Sequence, residues 1–238
     1  MEKILEIPPR SKKFLDKVIE NVKGLYESLF VPCAPGGIPM IDCFAAGAYI
    51  SSRYNYGIFS SIRTYDCALN HVLEKAKTAL DFGFRGILIT KGDPPQYGKG
   101  LKESSTESAI SFIREAGLNI NLGIVISLRF QLEDIRRRLR NLQPDFAFIM
   151  RYHQGQCDEQ KFKEVVREAR DIGTKTYVFI LLGTEKNILV FNKLKQPYIH
   201  LNEFGNTVKW LNSVIDGVVV SSPLDFESAI HSAKELIA

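Results

Sequence analysis

At 238 residues, 45% hydrophobic and 24% charged, the chain has the make-up of an ordinary globular protein with room for one large core, and it reads as a single domain spanning residues 1–238. A net charge of +4 suits an anionic small molecule and falls short of a nucleic-acid footprint, so no nucleic-acid partner is expected. No apolar run nears the roughly 20 residues of a membrane span, and the start, MEKILEIPPRSKK, lacks the apolar core of a signal peptide; no membrane association and a cytoplasmic location are expected.

Lys3 to Ile7 alternates like a strand, Pro8-Pro9 stops it, and Ser11 can cap a helix through Gly24 with Phe14, Leu15, Val18, Ile19 and Val22 on one face. Glu6 then sits near the end of a buried strand, where an unpaired charge is expensive unless its side chain faces solvent. Ser28 to Val31 reads as a second strand. A loop from Pro32 to Pro39 and a small-residue helix from Asp42 to about Arg53 follow. A third strand, Tyr56 to Ile62, ends in Arg63-Thr64-Tyr65-Asp66, and a helix runs from Ala68 to Phe82.

The stretch organising the chain is Phe84 to Pro95, FRGILITKGDPP. A short apolar strand, Gly86 to Ile89, runs into a charged, glycine-relaxed loop stopped by two prolines, and loops at the carboxyl ends of parallel strands face a common mouth. Lys91 and Asp93 would point into it, with Gly92 letting a ligand approach the backbone. The plain alternative is a Gly-Asp-Pro turn with no ligand.

Beyond it, Ser105 or Thr106 caps a helix to Ala116, Ile120 to Ile126 is a fifth strand, and Leu132 to Leu142 a helix bearing Arg136, Arg137, Arg138 and Arg140. Such a run is either a solvated helix face or a reach toward a phosphate or carboxylate. Asp145 to Met150 is a sixth strand leading to Arg151-Tyr152-His153, where His153 fits a loop contact as well as a ligand contact. Glu159 to Asp171 is a helix, Lys175 to Leu182 a seventh strand, and Lys186 to Lys193 a helix. His200 to Val214, with the only Trp, reads as less regular. Gly217 to Val220 is an eighth strand, and Leu224 to Ile237 a last helix. Phe130, Tyr152 and Trp210 read as exposed apolar positions suited to an interface. Cys33, Cys43, Cys67 and Cys157 form no CxxC pair and lack His at ligand spacing, so neither a metal site nor a disulfide framework is expected, and the thiols should be reduced.

Eight strands alternating with helices predict an α/β chain folded as a (β/α)8 TIM barrel; no GxGxxG or P-loop pattern supports the open-sheet alternative. Leu5-Glu6-Ile7-Pro8-Pro9-Arg10 and the Lys91-Gly92-Asp93-Pro94-Pro95 loop, together with Val31-Pro32-Cys33-Ala34-Pro35-Gly36-Gly37, resemble the methylenetetrahydrofolate reductase family. The resemblance implies a divergent reductase in which reduced flavin, FAD, passes a hydride to a methylene-tetrahydropterin, tetrahydrofolate or an archaeal analogue, with NAD(P)H as a donor. It places Glu6 as general acid and Asp93 beside flavin and pterin, the pair sharing the catalytic work. Flavin contacts fall on Lys91, Gly92, Asp93, Ser61, Arg63, Arg138 and Ser221, and substrate contacts on Glu6, Asp93, Met150 and Tyr152. Several positions depart from the family: Pro32 for threonine, Ser61 for histidine, Met150 for glutamine, Ser221 for tyrosine. These departures support a second reading, a flavin-free pterin-binding or methyl-transfer barrel acting with a partner protein or corrinoid. A homo-oligomer or a partner subunit is expected in either case. A third reading is an unrelated barrel enzyme with Ser221 and Ser222 at a substrate phosphate, and a fourth a scaffold role.

Overall fold

The computed structural model describes residues 1–102, 104–153, 155 and 157–235, with the main chain only at 234 and 235. Its strands are β1 (Glu2–Glu6), β2 (Ser28–Val31), β3 (Gly57–Arg63), β4 (Gly86–Thr90), β5 (Leu122–Ser127), β6 (Phe146–Met150), β7 (Lys175–Gly183), the two-residue β8 (Ile199–His200) and β9 (Gly217–Ser221). The helices are α1 (Lys12–Val22), α2 (Cys43–Tyr54), α3 (Leu69–Asp81), α4 (Thr106–Glu115), α5 (Leu132–Leu142), α6 (Glu159–Asp171), α7 (Glu185–Lys193), α8 (Leu201–Leu211) and α9 (Phe226–Glu235). Sheet order is β6-β5-β4-β3-β2-β1-β9-β7-β8, and a further β6–β7 pairing closes the set into the expected (β/α)8 barrel, with β9 as its eighth staple strand and β8 an edge addition. The expected last helix extends to Ile237; residues 236–238 lie outside the described residues. Among the described residues no helix is long and apolar enough to cross a membrane.

The chain forms two compact units. The first comprises residues 1–6, 18–27 and 125–238. Within it β1 pairs with β9 in the register Ile4↔Val219 and Leu5↔Val220, and β9 pairs with β7 in the register Ile180↔Val220 and Leu181↔Ser221. The amino ends of these strands are tied by Asp216, whose carboxylate accepts from the Thr176 amide at 2.8 Å and hydroxyl at 3.1 Å. α6 begins where Asp158 accepts from the Lys161 amide at 2.9 Å and buries Phe162, Val165, Val166 and Ala169. The arginine run of α5 resolves as a surface ladder: Arg136 meets Glu164 at 2.8 Å, Arg140 meets Glu168 at 2.5 Å and Arg137 meets Asp134 at 2.6 Å. The stretch read as irregular is α8, which buries Phe204, Thr207, Val208 and Leu211 at helical spacing.

The second unit comprises residues 7–17 and 28–124. Its strands β2, β3 and β4 run parallel, with Phe30↔Phe59 and Ser61↔Leu88 among the partners. α2 starts at Asp42, which accepts from the Ala45 amide at 2.9 Å and is bridged by Lys75 at 2.8 Å. The Cys33 and Cys43 sulfurs are bonded to each other, correcting the expectation of reduced thiols; Cys67 and Cys157 are free. The sequence reading rested on motif spacing, whereas here a turn at Pro35–Gly37 folds ten residues back on themselves.

In the first unit the close approach of β1, β9 and β7 depends on Gly217, where a Cβ would stand 2.5 Å from the Glu2 carbonyl oxygen and 2.7 Å from the Tyr177 ring. Gly217→Val should therefore lower stability by about 1–3 kcal/mol, read as a fall in the urea midpoint; an unchanged midpoint would show that the strands accommodate the branched side chain.

Candidate functional site

Parallel pairing of β1 and β9 fixes the geometry around Glu6. With Leu5 opposite Val220, the next step along each strand sets Glu6 beside Ser221 at the carboxyl ends. Glu6 is half-buried and Ser221 is buried. Loss of solvation pushes the Glu6 carboxyl up from its ordinary 4.5 to about 7, against the smaller pull of the hydrogen bond that Ser221 makes to it. A carboxyl of this kind is partly protonated at neutral pH and can both give and take a proton.

The loop beyond Ser221 is held from behind by Asn187, which is fully buried on α7. Its amide nitrogen donates to the Leu182 carbonyl at 3.1 Å and to the Ser222 hydroxyl at 2.9 Å, while its oxygen accepts from the Leu224 amide at 3.1 Å. Ser222 in turn donates to the Asp225 carbonyl at 2.6 Å. The Ser222 hydroxyl is thus engaged within the protein, which does not favour a substrate phosphate at that side chain. Asn187 escaped the sequence reading because one amide in a helix carries no periodic signal.

Of the other positions expected in this unit, Met150 is half-buried at the end of β6, its carbonyl accepting from the Leu128 amide at 3.3 Å. Arg138 is half-buried and donates to the Val125 carbonyl at 3.1 Å. Tyr152, expected to be exposed and to touch substrate, is 2% exposed. Its ring lies 4.7 Å from Phe162 and stacks on Trp210 at 5.7 Å, so it is core, and Trp210 is itself half-buried. Among the described residues the Tyr152 hydroxyl has no hydrogen-bond partner, and burial raises its pKa. Phe130 is exposed as expected.

In the second unit, Arg63 dominates. Its side chain is 3% exposed and sits at the end of β3, where it donates to the Ala34 carbonyl, donates to the Asp93 carbonyl at 2.5 Å and pairs with Asp66 at 2.9 Å. One buried cation therefore ties the loops after β2, β3 and β4. Gly92 has φ of +80°, and a Cβ there would lie 2.8 Å from the Arg63 side chain, so the glycine is required by the protein's own arginine. Asp93 and Lys91 have exposed side chains, the Lys91 ammonium lying 4.9 Å over the Tyr65 ring. Ser61 is buried and accepts from the Cys33 amide at 2.9 Å.

The structure thus brings Glu6 together with Ser221, and Arg63 with Gly92 and the Asp93 backbone. Three positions expected to cradle flavin, Ser61, Arg63 and Arg138, direct polar groups at the protein's own backbone. That arrangement does not fit a dinucleotide cradle built on these side chains.

No family model matches the chain, and no curated protein matches it. Solved structures do. A protein from Aquifex aeolicus VF5 matches with a TM-score of 0.64 at 12% identity, over 99% of this chain and 91% of that one. A mutant tryptophan synthase alpha-subunit from the hyperthermophile Pyrococcus furiosus matches with a TM-score of 0.65 at 14% identity, over 99% and 97%. A structure of the tryptophan synthase α2β2 complex from the same organism matches with a TM-score of 0.61 at 15% identity, over 99% and 97%. At these identities the likeness shows the barrel fold alone. It corrects the family resemblance drawn from the Glu6 and Asp93 motifs: the Pyrococcus furiosus matches are named for tryptophan synthase and not for a reductase, and the reductase assignment, its oxidoreductase class and its folate and flavin function are overturned with it.

Proposed function

We propose that the chain is an enzyme that moves a proton to and from a small-molecule substrate, with Glu6 as the general acid–base group and Ser221 as the residue that orients it. One observation carries this reading: a carboxyl at the carboxyl end of the first barrel strand whose pKa is raised to about 7. Enzymes of this fold work at that end of the barrel, and a carboxyl poised near neutral pH is the form of Glu that acid–base catalysis requires. Structural neighbours named for a synthase favour a synthase or lyase reaction, in which a bond to carbon is made or broken as a proton moves. That part of the assignment rests on fold analogy, the proton role on Glu6.

In the forward sense the protonated Glu6 delivers its proton to a leaving or accepting atom of the substrate. The resulting carboxylate keeps the Ser221 hydroxyl as donor, and regaining a proton resets the site. The test is proton exchange in heavy water with a panel of small carbon acids, followed by loss of the substrate proton signal. Exchange begins with abstraction of the substrate proton by the Glu6 carboxylate, so its rate should rise with pH and level off above about 7, and Glu6→Gln should lower it by roughly 100- to 10,000-fold; an equal rate in Glu6→Gln would refute the assignment.

Stability offers an independent check. Because the folded-state pKa lies above the ordinary value, Glu6 contributes stability that is fully present below about pH 4.5 and is lost as pH rises to about 7. Relative to the parent, Glu6→Gln should therefore gain stability through that window and level off above it at about 1–3 kcal/mol, the range allowing for the residue's partial exposure. Chemical denaturation at pH 4 and pH 8 measures it, and equal differences at the two values would mean that the carboxyl is ordinarily solvated.

A further inference from the structure

The Cys33–Cys43 bond joins the loop after β2 to the first residue of α2. We propose that this pair is a reversible thiol–disulfide site that exchanges with small thiols of the glutathione class, and that its state sets the firmness of the loop after β4. The two sulfurs differ as exchange requires. Both residues line a cavity of about 310 Å³ together with Ala34, Pro39, Met40, Asp42 and Arg63, but Cys33 is half-buried whereas Cys43 is buried at 1% exposure. A small thiolate therefore reaches Cys33 first. Cys43 is then the leaving group, and it is the opening residue of a twelve-residue helix, the end of the helix dipole at which a departing thiolate is favoured.

The electron count closes with the small thiol alone. Its thiolate attacks the Cys33 sulfur, the Cys33–Cys43 bond breaks, and Cys43 leaves and takes a proton from water. A second small thiolate attacks the sulfur of the small molecule in the mixed disulfide and releases Cys33 as a thiolate, which is likewise protonated. Two small thiols are oxidised to one small disulfide, and the protein pair is reduced by two electrons; glutathione disulfide drives the reverse. Cys67 lines the same cavity but is 5% exposed, and burial raises its pKa, which makes it a poor rival nucleophile.

The segment closed by the bond bears directly on the β4 loop. The Gly37 carbonyl accepts from the Gln96 amide at 2.9 Å, and the Ala34 carbonyl accepts from Arg63, which also holds the Asp93 carbonyl. Oxidised, residues 34–42 form a short closed strap that fixes two of these acceptors; reduced, the strap is held only by its ends, by its hydrogen bonds to Arg63 and Gln96 and by the Asp42–Lys75 pair.

The full-length chain is equilibrated at a series of ratios of reduced glutathione to glutathione disulfide, quenched in acid, alkylated and mapped by mass spectrometry. The proposal expects two thiols to appear and disappear at one ratio approached from either side, with the linked peptides carrying Cys33 and Cys43. Neither Cys33→Ser nor Cys43→Ser should show the transition. Four free thiols at every ratio, a bond that no ratio reduces, or linkage of a different pair would each overturn it. Hydrogen exchange tests the coupling: reduction should speed exchange at the Gln96 amide on the order of tenfold, and Cys43→Ser should show the same rate without reductant. Gln96 exchange that ignores the state of the pair would overturn the link to the β4 loop.

Discussion

The first unit depends on the register between β1 and β9. Parallel strands paired Leu5 to Val220 set the following residues, Glu6 and Ser221, side by side, and a slip of one residue would exchange core-facing and outward-facing side chains along the whole strand. Fully buried Ile4, Leu5, Val219 and Val220 make that slip costly. An unfavourably solvated carboxyl is therefore held in place by apolar neighbours that have no chemistry of their own. Gly217 and Asp216 secure the same strands at their amino ends, so the position of Glu6 is fixed from the opposite end of the strand as well as from its neighbours.

The second unit is organised by a different interaction, the buried guanidinium of Arg63. A planar group with five donors can satisfy two carbonyls and a carboxylate at once, which a lysine could not do in the same geometry. Removing such a group would leave the Ala34 and Asp93 carbonyls and the Asp66 carboxylate without their cation, a greater loss than one surface ion pair. The loops after β2, β3 and β4 therefore behave as one body tied to one side chain. This is also why the redox change proposed at Cys33 and Cys43 has a route to the loop after β4.

The frame of the fold was legible because it rests on repeated signals. Apolar runs punctuated by Gly and Pro gave the strands, and Ser105 and Asp42 marked helix starts that carry real caps. Where signals were sparse, legibility failed. α8 has its apolar residues at 204, 208 and 211, but Gly205, Asn206 and Thr207 between them are weak helix formers, and packing overrides that weakness. Tyr152 looked like a mouth residue because it follows a strand, yet it turns into the core against Phe162 and Trp210. The Cys33–Cys43 bond was illegible because pairing depends on a turn at Pro35–Gly37 that brings distant sulfurs together. Glu6 was legible as a candidate, since a carboxyl ending an apolar strand conflicts with its surroundings whatever the family.

Two of the three motifs that suggested a reductase have local physical causes that do not need a shared function. Ile7 donates to the Phe30 carbonyl at 2.9 Å, and Pro8 and Pro9 then supply no further amide donors, so the proline pair is a strand stop. Arg10 lies 5.0 Å over the Phe14 ring, a contact that joins the stop to the helix following it. In the other motif, Gly92 is demanded by its positive φ and by the Arg63 side chain, Asp93 offers its carbonyl to that arginine, and Pro94 and Pro95 close the turn. Lys91 lies over the Tyr65 ring, so among the side chains or backbone groups of both motifs Glu6 is the residue these contacts do not account for. What the motifs leave over is the single carboxyl whose environment raises its pKa, and it is on that residue that the proposed proton chemistry rests.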